Sequence, residues 1–235
     1  MYLSLVMPAY NEEKRIGLTL TKIYSFLKNK EYSYEVLIVD DGSSDNTVKE
    51  AQKSSLFMQN RLRIINNGTN KGKVFSVKNG ILNSQGENIL ISDADLSTPI
   101  EEADKLFSYF DKDFDIIIGS RSTQGSDVRI RQPWHRERMG RIFNFFIKKI
   151  LFLEFDDTQC GFKLFKATAA KNIAAQLCMD GFSFDVEMLY LAKKGGYKIA
   201  EVGVIWNNSP QSTVKLLSSS LNMFFDLFKI KQLHK

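Results

Sequence analysis

Cysteine, histidine, proline and tryptophan are all scarce in this chain of 235 residues, which has two Cys, two His, four Pro and two Trp. Cys160 and Cys178 form no Cys-X-X-Cys pair, so neither a disulfide framework nor a zinc site is expected. A reducing, cytoplasmic setting fits that usage. His135 and His234 stand isolated and read as non-catalytic. Long apolar runs are missing too. Nowhere do about 18 uncharged apolar residues follow one another, so no membrane-spanning helix is expected. The opening Met1-Tyr2-Leu3-Ser4-Leu5-Val6-Met7-Pro8 lacks the basic stretch and long apolar run of a signal peptide. A membrane, if met at all, is met from the side. Repeats and low-complexity linkers are absent as well.

What is present suits one large domain over residues 1–235. Hydrophobic residues make up 43% and charged residues 25%, the balance of a globular protein. The formal charge of +5 leans toward an anionic partner. Nucleic acid, phosphates and anionic lipid all satisfy that bias.

The first 119 residues alternate β-rich runs with helical patterns. Strands are expected at Leu3–Met7, Tyr34–Asp40, Leu62–Asn66, Asn88–Ser92 and Phe114–Gly119. Helices are expected over Glu12–Asn29, from about Asp45, and over Lys71–Asn83 and Ile100–Phe110. Runs of Val, Ile and Leu between amphipathic helices indicate an α/β fold with a mostly parallel central sheet flanked by helices. From Ser120 the character changes. Helices are expected at Arg136–Leu153, Phe184–Lys194 and Thr213–Ile230, with an irregular Asp156–Phe165 turn into a short strand and a strand at Lys198–Trp206.

Ligands of such sheets gather at the carboxyl ends of the strands. Polar groups stand at four of these ends: Pro8-Ala9-Tyr10-Asn11-Glu12, Asp40-Asp41-Gly42-Ser43, Asp93-Ala94-Asp95 and Ser120-Arg121. Taken singly, each could be a cap or a turn. Asp93-Ala94-Asp95 is the sharpest, because it follows the apolar Ile89-Leu90-Ile91. Two hard carboxylates separated by a small residue suit Mg²⁺ or Mn²⁺ shared with a diphosphate. A solvated turn is the competing reading.

In their order and spacing, these motifs resemble family 2 glycosyltransferases. Gly119-Ser120-Arg121, Asp157-Thr158-Gln159-Cys160-Gly161-Phe162-Lys163 and Phe184-Asp185-Val186-Glu187 narrow the resemblance. It lies in the dolichyl-phosphate β-glucosyltransferase and mannosyltransferase branch, nearer the glucosyl group. The resemblance runs from Val6 to about Lys229 and implies a GT-A, Rossmann-like fold. It also implies a nucleotide-sugar-binding half at 1–119 and an acceptor and membrane-facing half at 120–235. Pro8, Ala9, Tyr10, Glu12 and Asp41 would hold the nucleobase and ribose, with Lys73 near the nucleotide. Asp93 and Asp95, with Ala94 between them, would place the metal and the donor diphosphate, with Asp95 as the first choice of direct ligand. Arg121 would meet the acceptor phosphate. Mannosyl relatives often continue the metal motif as Asp-Ala-Asp-Leu-Gln, whereas here Ser97 takes the Gln position. That departure favours UDP-glucose over GDP-mannose.

The implied reaction is an inverting transfer of a hexose, glucose first and mannose second, to a polyprenyl or dolichyl monophosphate. Transfer to a saccharide hydroxyl is the alternative, and would make Asp185 or Glu187 an essential base. Otherwise Asp185 would orient sugar hydroxyls or a basic residue. A non-catalytic nucleotide-sugar-binding module is the third reading. Between Arg121 and Lys149, Arg129, Arg131, Arg136, Arg138, Arg141 and Lys148 meet only Asp127 and Glu137 as opposing charges. Arg121, Arg129 and Arg131 are therefore expected at the acceptor phosphate, since the Arg fork binds phosphate oxygens in pairs. No nucleic-acid module accompanies the stretch, so nucleic acid is not expected. Phe143, Phe145, Phe146, Ile147, Ile150, Leu151 and Phe152 form one apolar arc, and Phe224, Phe225 and Phe228 another. Flanking cations suit the headgroup zone on the cytoplasmic face of a membrane. Packing on the sheet or in a homodimer is the alternative. Trp134 and Trp206 read as packing residues, Trp206 being the one placed to act as a sugar platform.

Overall fold

A computed structural model of the chain describes residues 1–130, 134–207 and 216–235. The elements are β1 (Leu3–Ala9), α1 (Ile16–Leu27), β2 (Tyr34–Asp40), α2 (Thr47–Gln52), α3 (Ser55–Met58), β3 (Leu62–Asn66), α4 (Lys73–Asn83), β4 (Asn88–Ile91) and α5 (Glu102–Phe107). They continue as β5 (Ile116–Ser120), β6 (Asp127–Ile130), α6 (Trp134–Leu151), β7 (Lys163–Lys166), α7 (Ala167–Gln176), α8 (Phe184–Lys194), β8 (Ile199–Gly203), β9 (Ile205–Asn207) and α9 (Leu216–Leu233).

Seven strands form the central sheet in the order β3-β2-β1-β4-β7-β5-β8. Every residue of β2 and β4 is buried, which explains the apolar Val36–Val39 and Ile89–Ile91 runs within them. Side chains alternate between two cores. Leu5, Met7 and Ile38 pack on one face with Leu20 and Ile23 of α1. Val6, Leu37 and Val39 pack on the other with Val77 and Ile81 of α4 and Leu189 of α8. Helix, sheet and helix therefore make three layers.

Most pairings are parallel, but β7 runs antiparallel to both β4 and β5. Its reversal places Lys163, the first residue of β7, opposite Ile91 and Ile118 near the carboxyl ends of those neighbours. The latter part of the chain thus completes the sheet begun by the earlier part.

Two expectations are corrected. The strand expected at Lys198–Trp206 breaks after Gly203, and β9 leaves the central sheet to pair with β6. The backbone of 125–126 crosses there so closely that a Cβ on Gly203 would lie 2.4 Å from the Ser126 nitrogen. Helix α7 was not anticipated. Its buried face is Ala169, Ala170, Ile173 and Ala174, and such small side chains give a weak apolar period.

Candidate active site

The first two strand ends are laced together. Ala9 lies level with Asp40 in register, and the Asp41 amide donates to the Ala9 carbonyl at 2.9 Å. Beyond them the Asn11 amide donates to Ser43 Oγ at 2.9 Å and the Glu12 amide to Thr47 Oγ1 at 2.7 Å. Asn11 adopts φ +54°, a left-handed conformation that Asn tolerates better than most residues. Pro8 and Ala9 close β1, and Tyr10 is 47% exposed on the rim. The Glu12 carboxylate faces inward along its own turn and receives Arg15 Nη2 at 3.0 Å.

Asp41 is buried, and its oxygens are engaged within the protein. Oδ1 accepts from Asn67 Nδ2 at 2.9 Å and the Lys71 amide at 3.0 Å, while Oδ2 accepts from the Gly72 amide at 2.8 Å. The carboxylate thereby fixes the loop that leads into α4. Gly42, at φ +74°, lets that loop approach, since a Cβ there would lie 2.7 Å from Thr69.

At the mouth of β4, Lys73 Nζ lies 2.5 Å from Asp93 Oδ1. Burial alone would raise the Asp93 pKa, but the Lys73 ammonium, together with Lys163 and Arg121, holds the carboxylate below the ordinary range. Thr19 Oγ1 donates to the Ala94 carbonyl at 2.7 Å, and the Ser97 amide donates to Asp95 Oδ1 at 2.9 Å. Leu96 adopts φ +46°, a strained conformation for a branched apolar residue, at the turn that presents the two carboxylates. Gly161 presses against the same place: a Cβ there would lie 2.1 Å from Asp93 Oδ2. Ser97, in the position where a third ligand would stand, acts through its backbone, and its carbonyl accepts from the Asn207 amide at 2.8 Å.

Arg121, just past β5, sits in a fork. Its Nε donates to Asp157 Oδ2 at 2.6 Å and its Nη2 to Asp157 Oδ1 at 2.8 Å. The guanidinium also lies 5.3 Å from the Trp206 ring, a cation–π arrangement. Burial works against the Asp157 charge, but Arg121 prevails and keeps that carboxylate below its ordinary range. Glu201 holds the segment in place by accepting the Asp157 amide at 2.8 Å and the Asp156 amide at 2.8 Å.

Asp185 Oδ1 receives Lys163 Nζ at 2.5 Å, and Lys163 is 1% exposed. The same ammonium donates to the Cys160 carbonyl at 2.5 Å. Electrostatically these pairs are one system: Lys73 feels Asp93, Asp95 and Asp185, and Asp93 feels Lys73, Lys163 and Arg121. Three cations thus interleave with Asp93, Asp95, Asp157 and Asp185 at one end of the sheet.

Other candidate residues lie elsewhere or are otherwise engaged. Arg129 pairs with Asp127 at 2.9 Å on exposed β6. Arg131 lies outside the described residues. Glu187 is fully buried and accepts from the Cys178 and Met179 amides, each at 3.0 Å, and contacts His234 Nε2 at 2.7 Å. That carboxylate anchors the chain's end to α8. Trp134, expected as a packing residue, is 70% exposed, with the Arg138 guanidinium 5.6 Å from its ring. Sequence reasoning gave no role to Lys163, Asp157, Gly161 or Glu201. The first three stood in the Asp157–Lys163 run, whereas Glu201 gave no signal.

Among the described residues, no three His, Cys, Asp or Glu side chains gather into a metal cage. The donor set still fits a hard divalent ion. Asp93 and Asp95 offer carboxylate oxygens at a turn where only a glycine at 161 leaves room for the Asp93 carboxylate, and Mg²⁺ commonly takes one or two carboxylates and fills its remaining positions with water and substrate phosphate.

The chain matches the family described as Glycosyl transferase family 2 over residues 4–174. It is 36% identical to a dolichyl-phosphate beta-glucosyltransferase of Dictyostelium discoideum, covering 98% of this chain and 74% of the relative. The Homo sapiens dolichyl-phosphate beta-glucosyltransferase is 34% identical, over 97% of this chain and 74% of that one. In fold, the chain is similar to Mycobacterium tuberculosis glucosyl-3-phosphoglycerate synthase in complex with Mn²⁺, UDP-glucose and glycerol 3-phosphate. That similarity has a TM-score of 0.66 at 16% identity, over 98% of this chain and 78% of the other. With its three-layer fold, its strand-end motifs and relatives this similar over most of their length, the chain belongs to glycosyl transferase family 2.

Proposed function

We propose that this protein is an inverting hexosyltransferase that moves glucose from UDP-glucose to a dolichyl or other polyprenyl monophosphate, with GDP-mannose as the second donor choice. The observation that carries the proposal is the interleaved charge at one sheet edge. Asp93 and Asp95 stand on one side, and Arg121 in its Asp157 fork on the other. The names of the relatives support both glucose and the lipid acceptor.

In this reading residues 1–119 hold the donor and 120–235 receive the acceptor. Tyr10, on the rim after Pro8 and Ala9, faces the base, while Glu12 and Asp41 shape that wall through the loops they brace. Asp93 and Asp95 would hold Mg²⁺ or Mn²⁺, which when bound neutralises charge growing on the departing nucleotide diphosphate. Arg121 keeps its fork in place through Asp157 and turns its remaining N–H groups toward the acceptor phosphate, with Arg129 and Arg131 as outer cations. The phosphate oxygen attacks the anomeric carbon opposite the leaving group. Positioning supplies much of the rate.

Asp185 argues for a phosphate acceptor over a sugar hydroxyl. A lipid monophosphate arrives already anionic and needs no base, whereas a hydroxyl does. Asp185 Oδ1 is occupied by the Lys163 ammonium.

No helix among the described residues is long and apolar enough to cross a membrane. Phe145, Phe152, Phe225 and Phe228 are nevertheless exposed, and Phe146 of α6 packs edge-on against Phe224 of α9 at 4.9 Å. This aromatic ridge, with Lys149 and Lys231 over its rings, suits peripheral contact with a cytoplasmic membrane face. Incubating the protein with labelled UDP-glucose, polyprenyl phosphate and Mn²⁺ should give a lipid-extractable sugar. No such product across a donor panel, with folded protein, ends the proposal.

A further inference from the structure

We propose that Lys73 is a resident counter-ion that occupies Asp93 in the free enzyme, so that a divalent ion gains Asp93 only when the donor diphosphate draws the lysine away. The inference rests on the metal reading of Asp93 and Asp95. Its first ground is geometric. Asp93 Oδ1 has the Lys73 ammonium at 2.5 Å, and Oδ2 is walled by Gly161, where a Cβ would lie 2.1 Å away. An ion seeking this carboxylate meets a cation already in place.

The second ground is the position of Lys73 in α4. It is the first residue of the helix, after Gly72, and the first turn carries no acidic residue. A cation at the positive end of a helix dipole is unfavourable unless an anion answers it. In the free chain that anion is Asp93. A diphosphate brings more negative charge to the same place and accepts charge-assisted hydrogen bonds as well.

The third ground is accessibility. The side chains of Lys73 and Asp93 are 42% and 38% exposed, while Arg121 is 26% and Lys163 1% exposed. Half-exposed ion pairs are held weakly and exchange partners readily. Of these three cations, Lys73 is the most exposed and the one an incoming diphosphate can reach. Nucleotide and metal should therefore help each other bind, and by linkage to the same degree.

The test is a Mn²⁺ titration of folded protein, with free Mn²⁺ read by electron paramagnetic resonance, first without nucleotide and then with UDP. Wild type should bind Mn²⁺ weakly alone and about tenfold or more tightly with UDP. Lys73→Met and Lys73→Gln, folded by circular dichroism, should bind Mn²⁺ alone about five- to tenfold more tightly than wild type, with the UDP effect diminished. Lys73→Arg, which keeps the cation, should stay near wild type. If the two neutral variants bind Mn²⁺ alone no more tightly than wild type while UDP still strengthens wild-type binding, the counter-ion role is wrong and the metal reading stands. If wild type takes up no Mn²⁺ even with UDP, both are wrong.

Discussion

Lys163 and Asp185 meet as a nearly fully buried ion pair, Nζ to Oδ1 at 2.5 Å, although 22 residues separate them in the chain. The lysine comes from the start of an antiparallel strand and the aspartate from the first turn of α8. Removing one partner strands the other charge away from water. Lys163→Met should therefore cost about 3–5 kcal/mol of folding stability in urea titrations. Lys163→Met with Asp185→Leu should recover much of that loss. A single variant as stable as wild type would show that water reaches the pair.

Asp95→Ala should lower turnover of labelled donor at least about 100-fold in the presence of Mn²⁺. Its fold should survive, because the hydrogen bond its Oδ1 accepts from the Ser97 amide is local to one turn. Unchanged turnover would remove this carboxylate from the chemistry.

Gly161→Ala should push Asp93 out of place, since the new methyl would lie 2.1 Å from its Oδ2. The expected signature is a higher apparent KM for Mn²⁺ with little change in thermal midpoint. Kinetics over a Mn²⁺ series would decide it, and wild-type values would mean that the 160–162 backbone yields.

Asp157 gives a pH prediction. Its folded pKa is depressed: burial pushes upward and Arg121 overcomes it. The unfolded chain therefore binds the proton more readily, and stability rises with pH through this range. The contribution is complete above the ordinary Asp value of about 4 and is lost as pH falls through the lower folded value. Asp157→Asn should flatten the acid limb of a stability profile measured by urea unfolding from about pH 5 downward. An acid limb as steep as that of wild type would contradict the Arg121 fork.

Phe225→Ser and Phe228→Ser together should weaken sedimentation with anionic phospholipid vesicles while leaving the fold intact, because both rings are exposed. Binding should also fall with salt. Undiminished vesicle binding, or a wild-type mass that doubles with concentration and halves in the variant, would assign the ridge to a dimer instead.

Much of the α/β frame was legible because burial on both faces forces unbroken Val, Ile and Leu runs. β2 and β3 fall at the expected residues Tyr34–Asp40 and Leu62–Asn66, and α8 at Phe184–Lys194. The carboxylates at 93 and 95 were legible because they directly follow such a run. Helix α7 was not, because alanine packs closely without marking a period. Trp206 was noticed only as a strand-end ring, and its partner Arg121 lies 85 positions away in sequence.

Sequence alone determined which polar residues end the parallel strands, since each apolar run gives way there to Asp, Ser or Asn. It also determined that carboxylates and cations would both be available at that edge. Only the tertiary structure decided which charges are paired. The reversal of β7 delivers Cys160, Gly161 and Lys163 to the mouths of β4 and β5, against Asp93 and Asp185. Strand direction is set by how the whole sheet fills its two cores, and no local pattern of residues encodes it.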